Sequence, residues 1–275
     1  MLNKALHEST FVIGIGSIAP HPAAGFSGGG KIIAPGVASE EIAGEFHWMS
    51  VYIPQKDVLG VRDNPMQAMI DAIAAKAGLK FIVNAILDGE NQVVNVVAGD
   101  PVEAHEAGCK IALDIFGVEI PHQEAANIFI IDTYPLDQDL WQGVKAICAL
   151  DVIIPNMAAA IIVTPAPEGV APMHPEIATL GYLTLEKASK LVNESGLSKL
   201  VAHNMVQGGR LVARTIPYLV SPGISQAQAK KLGFLWRPTP QAALDDAIAK
   251  MKMQSEAPRI IVLRAGGKIA PLTKE

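Results

Sequence analysis

The apolar positions change period along the chain, and the changes predict its elements. Phe11-Val-Ile-Gly-Ile-Gly opens a run of apolar and small residues to Ile18 that predicts a buried strand. Ser39-Glu-Glu predicts the start of a short helix, because acids in a first turn complement the helix dipole. From Pro65 to Ala77, Met66, Met69, Ile70, Ile73 and Ala77 recur at helical spacing. Phe81–Leu87 and Gln92–Ala98 then flank Asp88-Gly89, a hairpin signal. Asp100-Pro101 predicts a helix to Phe116-Gly117, with Asp as cap and Pro in the first turn. The stretch Val118–Ala126 is the best boundary and divides the chain into domains 1–120 and 121–275.

Beyond it the period alternates. Strands are predicted at Ile128–Asp132, Ala160–Thr164, Ile216–Val220 and Ile260–Leu263. Helices are predicted over Asp137–Leu150, after Pro175, after Thr184, and from Pro240 to about Met253. Such alternation implies an α/β fold: two domains with mainly parallel or mixed sheets flanked by helices. Ligands of these sheets bind outside the carboxyl ends of strands. Two segments occupy such places, the loop after the first strand and the helix after Asp132.

Composition narrows the classes. The net charge is −5, and no basic run exceeds the pair Lys230-Lys231, so the footprint of a nucleic-acid binder is missing. The apolar stretch Val152–Val163 is interrupted by Pro155 and Asn156 and is shorter than the ~20 residues of a spanning helix. The start of the chain has neither the apolar core nor the cleavage site of a signal peptide, and Cys109 and Cys148 have no paired spacing. A reduced, cytoplasmic setting is expected.

Candidate chemistry concentrates between His21 and His47. Gly25, Gly28, Gly29 and Gly30 precede Lys31 in the run GFSGGGK, and a backbone without Cβ atoms can approach a bulky ligand closely. Lys31 therefore reads as a lysine presented to something. Gly25-x-x-x-x-Gly30-Lys31 also satisfies most of a phosphate-binding loop pattern, but Ile32 stands where a Ser or Thr would hold Mg²⁺, and Pro35-Gly36 interrupts the helix such a loop should enter. His21 precedes Pro22, which favours an extended backbone, and an ordinary imidazole pKa suits a group that takes and returns a proton. His47, taken alone, reads as a packed or capping residue near the end of a short helix. His105 lies on the apolar stripe Val102, His105, Cys109, Ala112, Phe116 and reads as a core histidine; His7, His122, His174 and His203 carry no recognisable context. Trp141, Gln142 and Lys145 share one side near the start of a helix, an ordinary amphipathic boundary in isolation.

The stretch from His21 through GFSGGGK to His47, with ten residues from His21 to Lys31 and sixteen from Lys31 to His47, resembles the nickel-pincer lactate racemase family. Asp139-Leu-Trp-Gln-Gly-Val-Lys145 is similar to that family's second-domain motif. The resemblance implies a nickel pincer nucleotide (a nickel pyridinium thioamide/thiocarboxylate mononucleotide) held covalently by Lys31, with Gly28, Gly29, Gly30 and Trp141 at the cofactor and His47 on nickel. It further implies His21 as an acid/base, Gln142 and Lys145 facing a small 2-hydroxy acid in an interdomain cleft, and racemisation or epimerisation by reversible hydride transfer. Enzymes that build the cofactor are implied as partners. Family members also have about another half-domain upstream, which supplies a second acid/base histidine and a carboxylate-binding arginine. Neither has a recognisable counterpart in these 275 residues, so the chain is expected to be incomplete for catalysis by itself. The alternatives are a non-catalytic partner or binding subunit of the same family and a P-loop-like nucleotide-binding protein.

Overall fold

Asn64 shows how local sequence starts the elements that carry the site. Its side-chain oxygen accepts from the backbone N–H groups of Met66 (2.9 Å) and Gln67 (3.0 Å), and Pro65 fills the first helical position. Asp100 does the same for a later helix, accepting from Val102 (2.8 Å) and Glu103 (3.1 Å), so that helix begins at Glu103 rather than at Pro101.

The structure, a computed structural model, describes residues 1–120, 125–252 and 258–272. These fall into two units, Met1–Val118 and Glu119–Glu275. The sequence-predicted boundary includes residues 121–124, and these, with His122, lie outside the described residues.

The first unit runs α1 (Lys4–Glu8), β1 (Val12–Ser17), a short antiparallel pair β2 (Pro20–His21) and β3 (Gly25–Phe26), a 3₁₀ turn at Gly29–Ile32, α2 (Glu40–Ser50), α3 (Pro65–Lys76), β4 (Leu79–Leu87), β5 (Val93–Gly99) and α4 (Glu103–Phe116). Its sheet has the order β1-β4-β5, with β1 parallel to β4 and the β4–β5 hairpin antiparallel. Ile82 and Ile86 point into the core, where Ile18, Phe26, Cys109, Ala112 and Phe116 cluster under α4. One expectation fails: β1 is not a buried strand. Only Gly14 of it is buried, while Ile13 is 52 % and Ile15 76 % exposed. The strand alternates, and the helices of this unit cover one side of it.

A three-residue strand, β6 (Gly117–Glu119), leads into the second unit, whose first residue is the strand's last. There follow β7 (Ile128–Asp132), α5 (Leu140–Ile153), β8 (Ala159–Val163), α6 (Pro175–Leu180), α7 (Leu185–Ser195), α8 (Lys199–Arg214), β9 (Ile216–Val220), α9 (Gln226–Leu232), β10 (Leu235–Trp236), α10 (Pro240–Lys252), β11 (Ile260–Leu263) and β12 (Ala270–Leu272). Five of these strands form a wholly parallel sheet in the order β10-β9-β8-β7-β11, in a register that aligns Ile130 with Ile161 and Ile161 with Tyr218. Ala243, Ala247 and Met251 of α10 pack on Ile128, Ile161, Tyr218 and Val220. The alternate residues Phe129, Ile131, Ala160, Ile162 and Leu219 are equally buried, as a parallel sheet covered on both faces requires. Met253, the expected end of α10, lies outside the described residues. Sequence pattern gave no sign of α8, whose inner face is partly polar and contains the pair Gly208-Gly209.

Candidate active site

β1 delivers the chain from its carboxyl end to His21, which pairs with Gly25 across the β2–β3 turn. The Ser27 side chain fixes the base of the loop: its hydroxyl donates to the Ser17 carbonyl (2.9 Å) and accepts from the Ala19 N–H (2.9 Å). Asn84 on β4 accepts from the Gly29 N–H at 2.8 Å, and the buried ring of His105 on α4 donates through Nε2 to the Ser27 carbonyl at 2.9 Å. His105 is thus the core histidine its stripe implied. Burial pushes its pKa below the ordinary imidazole value.

The glycines serve this packing. A Cβ on Gly29, whose φ is +52°, would lie 2.7 Å from the His105 ring; one on Gly28 would meet the Asn84 oxygen at 2.8 Å, and one on Gly30 the Ala74 Cβ at 2.8 Å. The space left by the missing side chains is filled by protein, so the run brings the loop down onto α3, α4 and β4 rather than clearing room for a ligand. Lys31 follows on the 3₁₀ turn, partly buried, as the first long side chain after the run. The backbone N–H of Gly29 goes to Asn84 and that of Lys31 to the Gly28 carbonyl at 3.0 Å, while Ile32 packs beside Gly14 and Gly16. A phosphate cradle needs those amides turned outward, so the geometry does not support the P-loop reading.

α2 brings His47 to His21, with ring centroids 6.3 Å apart at 62°. His47 Nδ1 lies 2.7 Å from the Ala43 carbonyl one turn back, so Nδ1 carries the proton and Nε2 the lone pair. An imidazole held in this way could ligate a metal through Nε2, since metal-ligating histidines have their second nitrogen oriented by a carbonyl or carboxylate. Among the described residues no group of three or more His, Cys, Asp and Glu is placed to hold a metal ion. A nickel ion on His47 would therefore draw its other donors from an organic ligand, and imidazole suits nickel. His21 is held differently: its Nδ1 accepts from the Ala23 N–H at 3.2 Å, which places the proton of the neutral ring on Nε2.

In the second unit, Asp139 caps α5 by accepting from the Gln142 N–H at 2.8 Å, and the Gly169 and Val170 carbonyls take the N–H groups of Leu140 and Trp141. The first turn is thereby fixed with Trp141, Gln142 and Lys145 all partly buried. Desolvation pushes the Lys145 pKa below the usual lysine range, with Cys148 opposing. Two residues that sequence reasoning passed over join this turn. His174 lies against the Trp141 ring, centroids 4.1 Å apart at 32°. Asn204 on α8 donates to the Trp141 carbonyl at 3.1 Å, and its own buried Oδ1 has no hydrogen-bond partner among the described residues. Beside it, Gln207 accepts from the Cys148 thiol at 3.1 Å and lies 3.0 Å from His203 Nε2. His174 and Asn204 are 33 and 63 positions from Trp141, and no local pattern marks them.

The family model of the lactate racemase N-terminal domain matches residues 1–58. The lactate racemase of Thermoanaerobacterium thermosaccharolyticum is 34 % identical over 172 residues, which are 61 % of this chain and 39 % of that one. The lactate racemase of Lactiplantibacillus plantarum is 31 % identical over 174 residues, 62 % of this chain and 40 % of the relative. These matches span about two fifths of the length of the curated relatives. The structure of the T. thermosaccharolyticum lactate racemase apoprotein matches 99 % of this chain and 65 % of its own at a TM-score of 0.83 and 24 % identity. A crystal structure of a Thermotoga maritima protein matches at a TM-score of 0.70 and 20 % identity, covering 99 % of this chain and 69 % of its own. Both share the fold.

Proposed function

The chain belongs to the lactate racemase family, and from that premise we propose that it contributes to racemisation or epimerisation of a small 2-hydroxy acid, lactate or a relative of it. The observation that carries the proposal is the pairing of His47, whose Nδ1 donates to the Ala43 carbonyl, with His21 at 6.3 Å beside the loop that carries Lys31. In this reading Lys31 holds a nickel pincer nucleotide covalently, Gly28, Gly29 and Gly30 set the loop, Trp141 lies at the cofactor, and His47 ligates the metal. When bound, that group supplies a hydride acceptor.

The chain's own residues do the rest. His21 exchanges the hydroxyl proton of the substrate through Nε2, since Nδ1 is engaged by Ala23. To take that proton the ring shifts its own from Nε2 to Nδ1 and gives up the Ala23 hydrogen bond. Lys145 neutralises part of the carboxylate charge, and an incoming anion raises the pKa that burial has lowered. Gln142 orients an oxygen. A second acid/base histidine and a carboxylate-binding arginine come from polypeptide corresponding to the part of the relatives that this chain does not match. The cofactor-building enzymes are partners, and a cytoplasmic setting belongs to the same proposal; no helix among the described residues is long and apolar enough to cross a membrane.

Chiral chromatography of one lactate enantiomer tests this, with the protein made alongside the cofactor-building enzymes. Alone, the chain is expected to turn over poorly or not at all, because a general acid/base contributes about 10²–10⁴-fold. Supplying the relatives' unmatched portion in trans is expected to restore turnover, and His21→Ala to remove it. Absence of racemisation of every 2-hydroxy acid tried, with both parts and the cofactor present, overturns the proposal. Proper turnover by the chain alone overturns its claim of incompleteness.

A further inference from the structure

The three-stranded sheet of the first unit is covered on one side only. α4 packs on the face that carries Ile86 and Val97, and Ala74 of α3 joins Leu79 and Ile82 on the same side. The opposite face presents Ile13 and Ile15 of β1, Phe81 and Val83 of β4, and Val93 and Val96 of β5. Their register makes them neighbours: Ile13 stands opposite Phe81, Ile15 opposite Val83, and Val93 opposite Leu87. Ile15 is 76 %, Val93 60 %, and Ile13 and Val96 each 52 % exposed.

A sheet that meets water alternates apolar with polar positions, and a parallel strand pair is normally covered on both faces. This sheet does neither: apart from Ser17 at the end of β1, its outer positions are aliphatic or aromatic across all three strands. β1 also pairs with β4 alone among the described residues, so its other edge is open. A contiguous apolar face with an open edge marks an interaction surface.

We infer that this face seats the portion of the lactate racemase fold for which the chain has no counterpart, through an apolar surface that covers Ile13, Ile15 and Val96. The related apoprotein matches 99 % of this chain but only 65 % of its own, so about a third of that chain has no counterpart here and is the candidate cover for this face. The bare sheet face is an apolar surface in the same unit as His21, Lys31 and His47. The partner's identity rests on the function proposed above, but the surface does not, and the test reads binding rather than turnover.

The full chain, affinity-tagged, is co-expressed with the unmatched portion of the T. thermosaccharolyticum lactate racemase, and the product is sized by chromatography with light scattering. The result expected is a one-to-one complex that is lost on Ile15→Lys with Val96→Lys and kept on Val262→Lys, a change at an exposed site of the second unit. Both lysines replace exposed side chains, and circular dichroism with thermal melting of the variant alone verifies its fold. Maleimide labelling of Ile15→Cys is expected to slow when the partner is present. Three outcomes overturn the inference: a homodimer that Ile15→Lys dissolves without uptake of the partner, a monomer that takes up nothing, and a complex indifferent to both lysines.

Discussion

His105 Nε2 lies 2.9 Å from the Ser27 carbonyl, so a single buried histidine on α4 holds the loop that leads to Lys31. Burial depresses its pKa in the folded protein, whereas in the unfolded chain it titrates near 6.5. Above that value neither state binds the proton and His105 leaves stability independent of pH. As pH falls below it the unfolded chain takes the proton first, and stability is lost at up to about 1.4 kcal/mol per pH unit until the folded pKa is reached. Urea unfolding at pH 7.5 and 5.5 is expected to show a smaller loss for His105→Gln than for the wild type. Equal losses would remove His105 from the account.

Gly29→Ala tests the same contact sterically. The new Cβ would sit 2.7 Å from a ring that is itself buried and hydrogen-bonded, at a φ of +52°. A destabilisation of about 1–3 kcal/mol is expected from the strain and overpacking, read from urea midpoints. A neutral result would mean that the loop moves freely and does not fix Lys31.

Asn204 should behave in the opposite sense. Its Oδ1 is buried without a partner among the described residues, and such an acceptor costs about 1–3 kcal/mol. Asn204→Leu removes that cost together with the hydrogen bond to the Trp141 carbonyl, so its melting temperature should equal or exceed the wild type's. Turnover of the reconstituted enzyme should fall, because the first turn of α5 loses its tie. A clear drop in melting temperature with unchanged turnover would make Asn204 an ordinary core residue.

Legibility from sequence followed periodicity. The parallel strands Ile128–Asp132 and Ile216–Val220 were readable to the residue because both faces are buried and the runs are continuously apolar. β1 misled for the same reason: its run is apolar because the outer face is hydrophobic, and burial cannot be told from an uncovered face by composition. α8 was illegible since Asn204, Gln207 and His203 look like surface residues until α5 is packed against them. The spacing of His21, Lys31 and His47 carried the family resemblance, and the structure sets the two histidine rings beside each other; the purpose of the glycines was not legible, because it depends on His105 and Asn84, which are distant in sequence. The tautomers set by Ala43 and Ala23 are also three-dimensional facts.

His47→Ala should separate the metal from its organic ligand. The protein is expected to retain the cofactor mass while losing most of its nickel, because His47 is the single metal ligand that the proposal takes from the chain. Elemental analysis of the purified variant measures this. Unchanged nickel content would return His47 to a structural role, with its Ala43 contact an ordinary helix hydrogen bond.

The central claim is that Lys31 is the anchor, and intact-mass spectrometry reaches it most directly. The wild-type chain, made alongside the cofactor-building enzymes, is expected to carry an added nucleotide mass that peptide mapping assigns to Lys31. That mass should vanish in Lys31→Ala and persist in Lys145→Ala. A wild-type chain with no added mass, or an adduct that survives Lys31→Ala, would contradict the account.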